Sequence, residues 1–374
     1  MYCVGCERFA EPGELRCAEH DAELEWVEEN NWFLKLGRYT DVVREQIASG
    51  KLAFSHAGAR EETLAFLREP LRDLCVSRSA ERARGWGLRV PNDPSQVIWV
   101  WFDALTYYLS ALGYGGHSSP DLWTSSQKLH VIGKGITRFH AVFWPAILAS
   151  AGLPAPNELL VHGYLTLDGA KISKSGRTLD PLPWVEEFGS DALRYYLLRH
   201  VRSGHDGDFS RERLIQAYNA DLANGLGNLV DRVLGLLQRG NQGVLPAAAS
   251  VPLECVGLLD QARALPGRVD RALEARAIDE GLDAVFELVS AANRCIDVCA
   301  PWTLLKRGEL AAANGICRSL LEVVRVIALE LSPFLPRAAR ELQKGLRLDP
   351  DNILITGATL PGRLALFPRV EVTG

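Results

Sequence analysis

The stretch Glu158-Leu-Leu-Val-His-Gly-Tyr-Leu-Thr-Leu-Asp-Gly-Ala-Lys-Ile-Ser-Lys-Ser175 decides the fold class of this 374-residue chain. It begins as a short apolar strand and runs into a polar turn with glycines, where parallel α/β sheets place ligand-binding residues. At its end, Lys171 and Lys174 put two ammonium groups three residues apart. Because lysine is a compact charge on a flexible stem, the pair can follow charge that moves onto a leaving polyphosphate. The stretch therefore predicts ATP-dependent group transfer, although such a string by itself is typical of solvated surface.

An alternating pattern of strands and helices surrounds this stretch from about residue 95. Apolar runs at 96–101, 129–132 and 158–161 predict buried strands, and helical stretches at 104–112 and 139–151 separate them. Strand, helix, strand, helix predicts an α/β fold with a parallel sheet.

The chain becomes all-α after about residue 188. Apolar residues at steps of three and four define one helix face between Ile215 and Leu236, and similar patterns predict helices at 258–275, 278–299, 310–331 and 335–346. Residues 240–247 are typical of a loop, and the proline-rich tail at 360–368 is expected to pack back as extended chain. We therefore expect a helical bundle after the α/β region.

Composition indicates a globular chain with two or three domains, since 47% of its residues are hydrophobic and 23% are charged. The sequence has no apolar run of about 18 residues and no secretion signal, which predicts no membrane association and a cytoplasmic location. The net charge of −5 provides no overall attraction to nucleic acid, so RNA binding would require a local surface patch.

Cysteine spacing predicts a structural zinc knuckle at the start of the chain. Cys3-x2-Cys6 and Cys17-x2-His20 are two short-spaced pairs, which lets two turns close tetrahedrally on Zn²⁺. The alternative is that the first pair is accidental or redox-active and the histidine lies on the surface. The other cysteines have mostly apolar or helical neighbours and are interpreted as small core residues: Cys75, Cys255, Cys295, Cys299 and Cys317.

Five motifs in order along the chain resemble one family. They are Cys3-Val-Gly-Cys-Glu-Arg-Phe9, Val131-Ile-Gly-Lys-Gly-Ile-Thr-Arg-Phe-His140, the stretch from Val161 to Ser175, Asp191-Ala-Leu-Arg-Tyr-Tyr196 and Ala300-Pro-Trp302. Together they resemble methionyl-tRNA synthetase, a class I aminoacyl-tRNA synthetase, over nearly the whole chain. The resemblance implies formation of methionyl-adenylate from methionine and ATP, with Mg²⁺ on the phosphates, and transfer to tRNA with a CAU anticodon.

The resemblance also assigns roles to individual residues. The signature lysine loop corresponds to Lys171, Ser173, Lys174 and Ser175, with Ile172 where the family usually has Met. The ATP site further includes His162 and Gly163 beside the adenine and Arg78 at the rim. The methionine pocket corresponds to Trp101, Ala104, Tyr108, Ile136 and His140, an aromatic-walled slot that suits a thioether.

Anticodon recognition is implied for Asn228, Arg232 and Trp302. Asp221, Asn224, Asn228 and Arg232 recur at helical steps on a face distinct from the apolar stripe, and a Pro-Trp at a helix end can expose its indole for stacking on a base.

The resemblance divides the chain into five parts. These are the zinc knuckle at 1–34, the rest of the insertion with the second half of a Rossmann-type catalytic domain at 35–178, a stem-contact connector at 179–212, the anticodon-binding bundle at 213–346 and a tail at 347–374.

Two departures from the family pattern affect the functional prediction. The His-Ile-Gly-His type motif that meets ATP does not occur in the sequence, so we expect adenylation to need a complementary amino-terminal fragment that pairs with the open sheet. Gly135 stands where the family has Asp. Two alternatives therefore stay open: a tRNA-binding paralogue that does not charge tRNA, and an enzyme of specialised metabolism that activates another amino acid.

Overall fold

The structure is a computed structural model that describes residues 2–3, 8–9, 14–17, 22–26, 28–69, 71–115, 122–172, 180–247 and 250–371. Its contacts divide the chain into two units. The first comprises Met1–His130 and Gly135–Leu159, and the second comprises Val131–Lys134 and Leu160–Gly374.

Short strands form five small sheets along the described residues. They are β1 (Tyr2–Cys3), β2 (Arg8–Phe9), β3 (Phe33–Leu34), β4 (Ala53–Phe54), β5 (Leu74–Cys75), β6 (Ser77–Ser79), β7 (Arg89–Val90), β8 (Asp93–Ile98), β9 (Leu129–Gly133), β10 (Glu158–His162), β11 (Leu165–Leu167), β12 (Ala170–Lys171) and β13 (Gly207–Phe209). The sheet orders are β1-β2, β3-β5, β6-β8-β7, β4-β10-β9 and β12-β11-β13. The division between the units falls inside β9 and β10.

The predicted strands after residue 128 are confirmed, and their sheets include parallel pairs. Strand β10 pairs parallel with β4, with Glu158 opposite Ala53, and β11 pairs parallel with β13. The prediction of a buried parallel strand over 96–101 is wrong in two respects. Strand β8 ends at Ile98 and pairs antiparallel with β6 and β7, and a helix begins at Val100. Apolar periodicity over so short a run does not separate strand from helix.

Helices of the first unit pack around aromatic and aliphatic side chains. They are α1 (Thr40–Ala48), α2 (Ala57–Phe66), α3 (Val100–Ser110), α4 (Leu122–Ser125) and α5 (Trp144–Ser150), the last preceded by a π-helical turn at Phe139–Phe143. Leu105, Trp123, Trp144, Ile147 and Leu148 form a buried cluster between α3, α4 and α5. Two 3₁₀ turns lie at Leu36–Tyr39 and Lys134–Ile136.

The second unit confirms the predicted helical bundle. Its helices are α6 (Leu182–Phe188), α7 (Ser190–Arg199), α8 (Arg211–Ala217), α9 (Asn228–Asn241), α10 (Leu253–Glu274), α11 (Ile278–Cys299), α12 (Pro301–Lys306), α13 (Leu310–Glu330) and α14 (Pro336–Gly345). A π-helix, Tyr218–Gly227, joins α8 to α9. The apolar faces of these helices share one core that includes Leu222, Leu226, Leu229, Val233 and Leu320.

The tail packs back on the bundle as expected. Asn219 in the π-helix exchanges two hydrogen bonds with the backbone of Val370, at 2.8 and 3.0 Å. The Tyr218 hydroxyl donates to the Pro368 carbonyl over 2.9 Å, and Arg363 donates to Asp231 on α9 over 2.9 Å. Over residues 347–371, the described part of the tail, the chain therefore covers the helical core without forming a helix or strand of its own. Within the described part of the chain, no helix is long and apolar enough to cross a membrane.

Candidate functional site

An aromatic slot in the first unit contains the predicted methionine-pocket residues. Trp101, Ala104 and Tyr108 lie at steps of three and four on α3, which places them on one face of that helix. Ala104 is exposed and Trp101 is half-buried, with its indole edge-to-face against Phe139 at 5.4 Å between ring centroids. Small and aromatic side chains thus lie on the same side of α3.

Hydrogen bonds fix the histidine of this slot in one tautomer. His140 Nδ1 lies 3.1 Å from the Ile136 carbonyl, which can only accept, so Nδ1 carries the hydrogen. Burial lowers the pKa of His140, and the ring is therefore neutral near pH 7. Its Nε2 must then accept the hydrogen that the Tyr108 hydroxyl donates over 3.0 Å. The structure thus brings Tyr108, His140 and the Ile136 backbone together in an uncharged arrangement, while the Ile136 side chain is 44% exposed.

Three further aromatic residues complete the slot and were not predicted from the sequence. The His130 ring stacks on Tyr108 at 4.1 Å between ring centroids, and Trp123 lies edge-to-face against both His130 and Trp144. Burial, followed by the neighbouring His140 and Lys128, lowers the pKa of His130 to about 4. Nδ1 of His130 and Nε1 of Trp144 are buried without a hydrogen-bond partner among the described residues. The available signal was a histidine inside an otherwise apolar strand, residues 129–132.

The end of β10 presents the two residues predicted to lie beside adenine. His162 is exposed, and its Nδ1 lies 2.9 Å from the Gly163 carbonyl. A Cβ at Gly163 would lie 2.1 Å from the His205 carbonyl oxygen, so the close approach of the 205–206 backbone requires glycine.

A polar group that sequence analysis did not assign follows Gly163. Lys134 donates to Asp206 over 2.7 Å and lies 4.8 Å from the centre of the Tyr164 ring. The Tyr164 amide donates to the same carboxylate over 2.8 Å. The hydrogen bond from Lys134, followed by that from Tyr164, lowers the pKa of Asp206. These contacts hold the turn after β10 in place.

A tight hairpin leads into the lysine loop. Strands β11 and β12 are joined through Asp168 and Gly169, which have φ angles of 51° and 77°, the left-handed pair that a two-residue type I′ turn needs. Asp208 on β13 accepts hydrogen bonds from Thr166 Oγ1 and the Gly169 amide, both at 2.7 Å. The backbone of Lys171 pairs with Thr166, whereas Ser173, Lys174 and Ser175 lie outside the described residues.

Arg78 belongs to the first unit, on β6. Its guanidinium lies 4.7 Å from the centre of the Trp99 ring, a cation–π contact. The predicted role of Arg78 at an ATP rim stays a prediction.

The predicted anticodon residues meet on the helical bundle. Arg232 on α9 lies with its guanidinium 5.9 Å from the centre of the Trp302 ring, and Trp302 is 38% exposed. Asn228 is exposed one helical turn before Arg232, on the same face. Asp297 and Asn293 on α11 accept hydrogen bonds from Arg232 and were not predicted. The arrangement offers an aromatic face for stacking beside oriented donors.

Asp221 does not belong to this exposed face. It accepts the Tyr195 hydroxyl hydrogen over 2.6 Å and pairs with Arg199 at 3.4 Å, so its role in the second unit is structural. It lies in the π-helix, where the α-helical spacing used in the sequence prediction does not apply.

Two of the four predicted zinc ligands, Cys3 and Cys17, lie within the described residues. Cys3 ends β1, and Cys17 begins a turn in which its amide donates to the Ala22 carbonyl over 2.9 Å. Both side chains are fully buried in a cluster with Leu24, too small a core to hold two hairpins together by itself. Two buried thiols at hairpin ends fit the donor set of a structural zinc ion. Cys6 and His20 lie outside the described residues.

Comparison with known proteins places the chain in a family. Residues 1–234 match the family described as tRNA synthetases class I (M), which defines the class of the protein. Residues 246–359 match the anticodon binding domain of methionyl tRNA ligase. The chain therefore belongs to the methionyl-tRNA synthetase family.

Similar proteins cover most of the chain. The methionine–tRNA ligase of Synechocystis is 39% identical over 362 residues, which cover 92% of this chain and 66% of the relative. The methionine–tRNA ligase of Rickettsia felis is 36% identical, and the match covers 99% of this chain and 75% of the relative. Mycobacterium tuberculosis methionyl-tRNA synthetase bound by methionyl-adenylate superimposes with a TM-score of 0.91 at 33% identity. The match covers 98% of this chain and 76% of that structure's chain. The chain thus spans about two thirds of the Synechocystis relative and 60% of the Clostridium perfringens one.

Proposed function

We propose that the chain takes part in ATP-dependent activation of methionine and its transfer to tRNA. The observation that supports this most directly is the uncharged aromatic slot, in which Tyr108 and His140 are hydrogen-bonded and Trp101 forms one side. A neutral slot with an aromatic wall favours a thioether over charged side chains, since a buried charge would lack a partner. The resemblance to proteins named for methionine supports the same substrate.

The reaction has two balanced steps. The methionine carboxylate oxygen attacks the α-phosphorus of ATP, a P–O bond breaks, and pyrophosphate leaves. A ribose hydroxyl of the tRNA then attacks the acyl carbon, loses its proton and releases AMP. We assign Lys171 and Lys174, with the hydroxyls of Ser173 and Ser175, to the charge that develops on pyrophosphate. Mg²⁺ would enter with the ATP phosphates, and His162 and Gly163 would lie beside the adenine.

The tRNA would be selected on the second unit. Trp302 offers its exposed face to an anticodon base, and Asn228 and Arg232 offer donors to base edges. We infer that tRNA with a CAU anticodon is the partner. We place the reaction in the cytoplasm, where the cysteine thiols remain reduced.

Pyrophosphate exchange tests this function. Exchange is measured with the 374-residue chain alone and with a second polypeptide that carries a His-x-Gly-His segment, the motif that the sequence analysis expects adenylation to need. With both components, exchange should depend on methionine and fall at least 100-fold in Lys174→Ala, in line with loss of a transition-state donor. Lys51→Ala, an exposed lysine after α1, is the control and should match wild type.

Two results would contradict the proposal. One is exchange that proceeds equally without methionine or with a different amino acid, which would favour activation of another substrate. The other is an unaffected Lys174→Ala variant. If the protein binds tRNA selectively by its anticodon but shows no exchange, with or without the second component, it would instead be a tRNA-binding paralogue.

A further inference from the structure

Three cysteine side chains converge in the helical bundle of the second unit. Cys255 lies in the first turn of α10, and Cys295 and Cys299 lie one turn apart at the end of α11. Sγ of Cys295 is 3.9 Å from Sγ of Cys255 and 3.7 Å from Sγ of Cys299, and the three sulfurs lie within 4.8 Å of one another. We call these residues the thiol triad. The sequence interpretation treated them as small core residues because their neighbours are mostly apolar or helical.

The sulfur separations fit coordination to a common ion. Sulfurs joined by a disulfide lie about 2.05 Å apart, far closer than any pair of the thiol triad. Four thiolates at about 2.3 Å around a tetrahedral Zn²⁺ lie about 3.8 Å from one another. Two of the three separations match this value, and the third is no more than 4.8 Å. Cu⁺ is the other common cation that prefers thiolate ligands.

Burial differs within the thiol triad in a way that suits a metal site. Cys255 is fully buried, while Cys295 and Cys299 are half-buried, so an ion could enter from solvent and keep a water molecule as a further ligand. Cys317 shows the contrasting case, since it is 3% exposed and its closest polar contact is the Val233 carbonyl at 3.9 Å. We propose that Cys255, Cys295 and Cys299 bind a thiophilic cation, Zn²⁺ or Cu⁺, with release of the three thiol protons.

A cation bound by the thiol triad would fix the connection between α11 and α12, next to the proposed anticodon residues. Asp297, between two of the ligands, accepts the hydrogen bond from Arg232. Cys299 is followed by Ala300, whose φ of 40° turns the chain into α12 and Trp302. Joining α10 to the end of α11 would hold Asp297 and Trp302 in their relative positions. This consequence rests on the proposed tRNA recognition, whereas the metal site itself does not.

Metal counting on the full chain tests the site. Chelator-stripped protein, kept reduced and anaerobic, is titrated with Zn²⁺ alone and with Cu⁺ alone against a chromophoric competitor. For at least one of the two cations, wild-type protein should bind one more tight equivalent per chain than either the Cys295→Ser or the Cys299→Ser variant. Cys75→Ser, a half-buried cysteine outside the thiol triad, is the matched control and should bind as wild type does. The cation whose count changes is the one that the thiol triad binds.

A second measurement separates this site from the amino-terminal knuckle and from misfolding. In a Cys17→Ser background, Co²⁺ should still produce a sulfur-to-metal charge-transfer band, and adding Cys299→Ser should abolish it while the helical circular dichroism stays unchanged. Equal metal counts in wild type and both triad variants, for both cations, would overturn the proposal. A changed count with unaltered tRNA selectivity would retain the metal site and remove its link to anticodon recognition.

Discussion

The Tyr108 hydroxyl donates a hydrogen bond of 3.0 Å to Nε2 of His140, and the imidazole in turn donates from Nδ1 to the Ile136 carbonyl. These two linked hydrogen bonds join α3 to the turn before the π-helical residues 139–143. Burial keeps Tyr108 protonated by raising its pKa and keeps His140 neutral by lowering its pKa. The slot is thus polar enough to orient a ligand and carries no net charge.

Removing this hydrogen bond should weaken methionine binding. In Tyr108→Phe, Nε2 of His140 loses its donor inside a largely buried site, at a cost of about 1–3 kcal/mol, or roughly 5- to 150-fold in dissociation constant. Calorimetric titration with methionine measures the change. Tyr107→Phe, on the same helix but 69% exposed, is the control. Equal affinities for the two variants would remove the assigned role of Tyr108.

Acid should destabilise the first unit through His130. Its pKa is about 4 in the folded chain and 6.5 when exposed, so the unfolded state binds the proton more readily between these values. The contribution of neutral His130 to the free energy of unfolding is complete above about pH 6.5. It is lost progressively as the pH falls towards 4, by up to roughly 3 kcal/mol. Urea unfolding followed by tryptophan fluorescence from pH 7.5 to 4.5 should show this slope. His130→Phe retains an aromatic ring and should have a shallower slope, so identical slopes would contradict the prediction.

The exposed indole on α12 should carry anticodon selectivity. Trp302→Ala should weaken binding of tRNA with a CAU anticodon about tenfold or more and reduce the difference from tRNA with an altered anticodon, because stacking contributes about 1–3 kcal/mol per base. Filter binding at moderate salt measures the dissociation constants of both tRNAs. Trp302→Phe retains a ring and should retain most of the selectivity. Wild-type protein that binds both tRNAs equally would rule out anticodon recognition.

Zinc at the amino-terminal hairpins should be structural. Cys17→Ser should remove one equivalent of zinc from the purified chain and speed proteolysis within residues 1–30, since two hairpins with so small a core depend on the metal. The thermal transition of the helical bundle should not change. Metal-free wild-type protein with the proteolytic resistance of the untreated protein would show that the two hairpins do not need zinc.

A methyl group at position 163 should displace the turn after β10. The added Cβ would overlap the His205 carbonyl at 2.1 Å, which forces Tyr164 away from Asp206. Hydrogen exchange at the Tyr164 amide should become several-fold faster in Gly163→Ala. Gly58→Ala, where nothing lies within 4 Å of the new Cβ, should exchange as wild type does. Unchanged exchange at Tyr164 in Gly163→Ala would contradict the packing described here.

Local patterns predicted much of the fold because they depend on short-range geometry. The helices at 278–299 and 310–330 follow from apolar steps of three and four. The strands at 129–133 and 158–162 follow from apolar runs bounded by turn residues. The prediction failed at 96–101, where alternating tryptophan and valine residues extend across the end of a strand and the start of a helix.

By itself, the sequence determined the family and the order of the α/β and helical parts, and its motifs named candidate residues for the slot and for anticodon recognition. The tertiary structure alone decided which distant side chains complete them. His130 stacks on Tyr108, Asp297 holds Arg232, and Cys255 meets Cys295 from another helix. None of these pairs follows from chain spacing, because their separation is set by how helices and strands pack rather than by the repeat of either element.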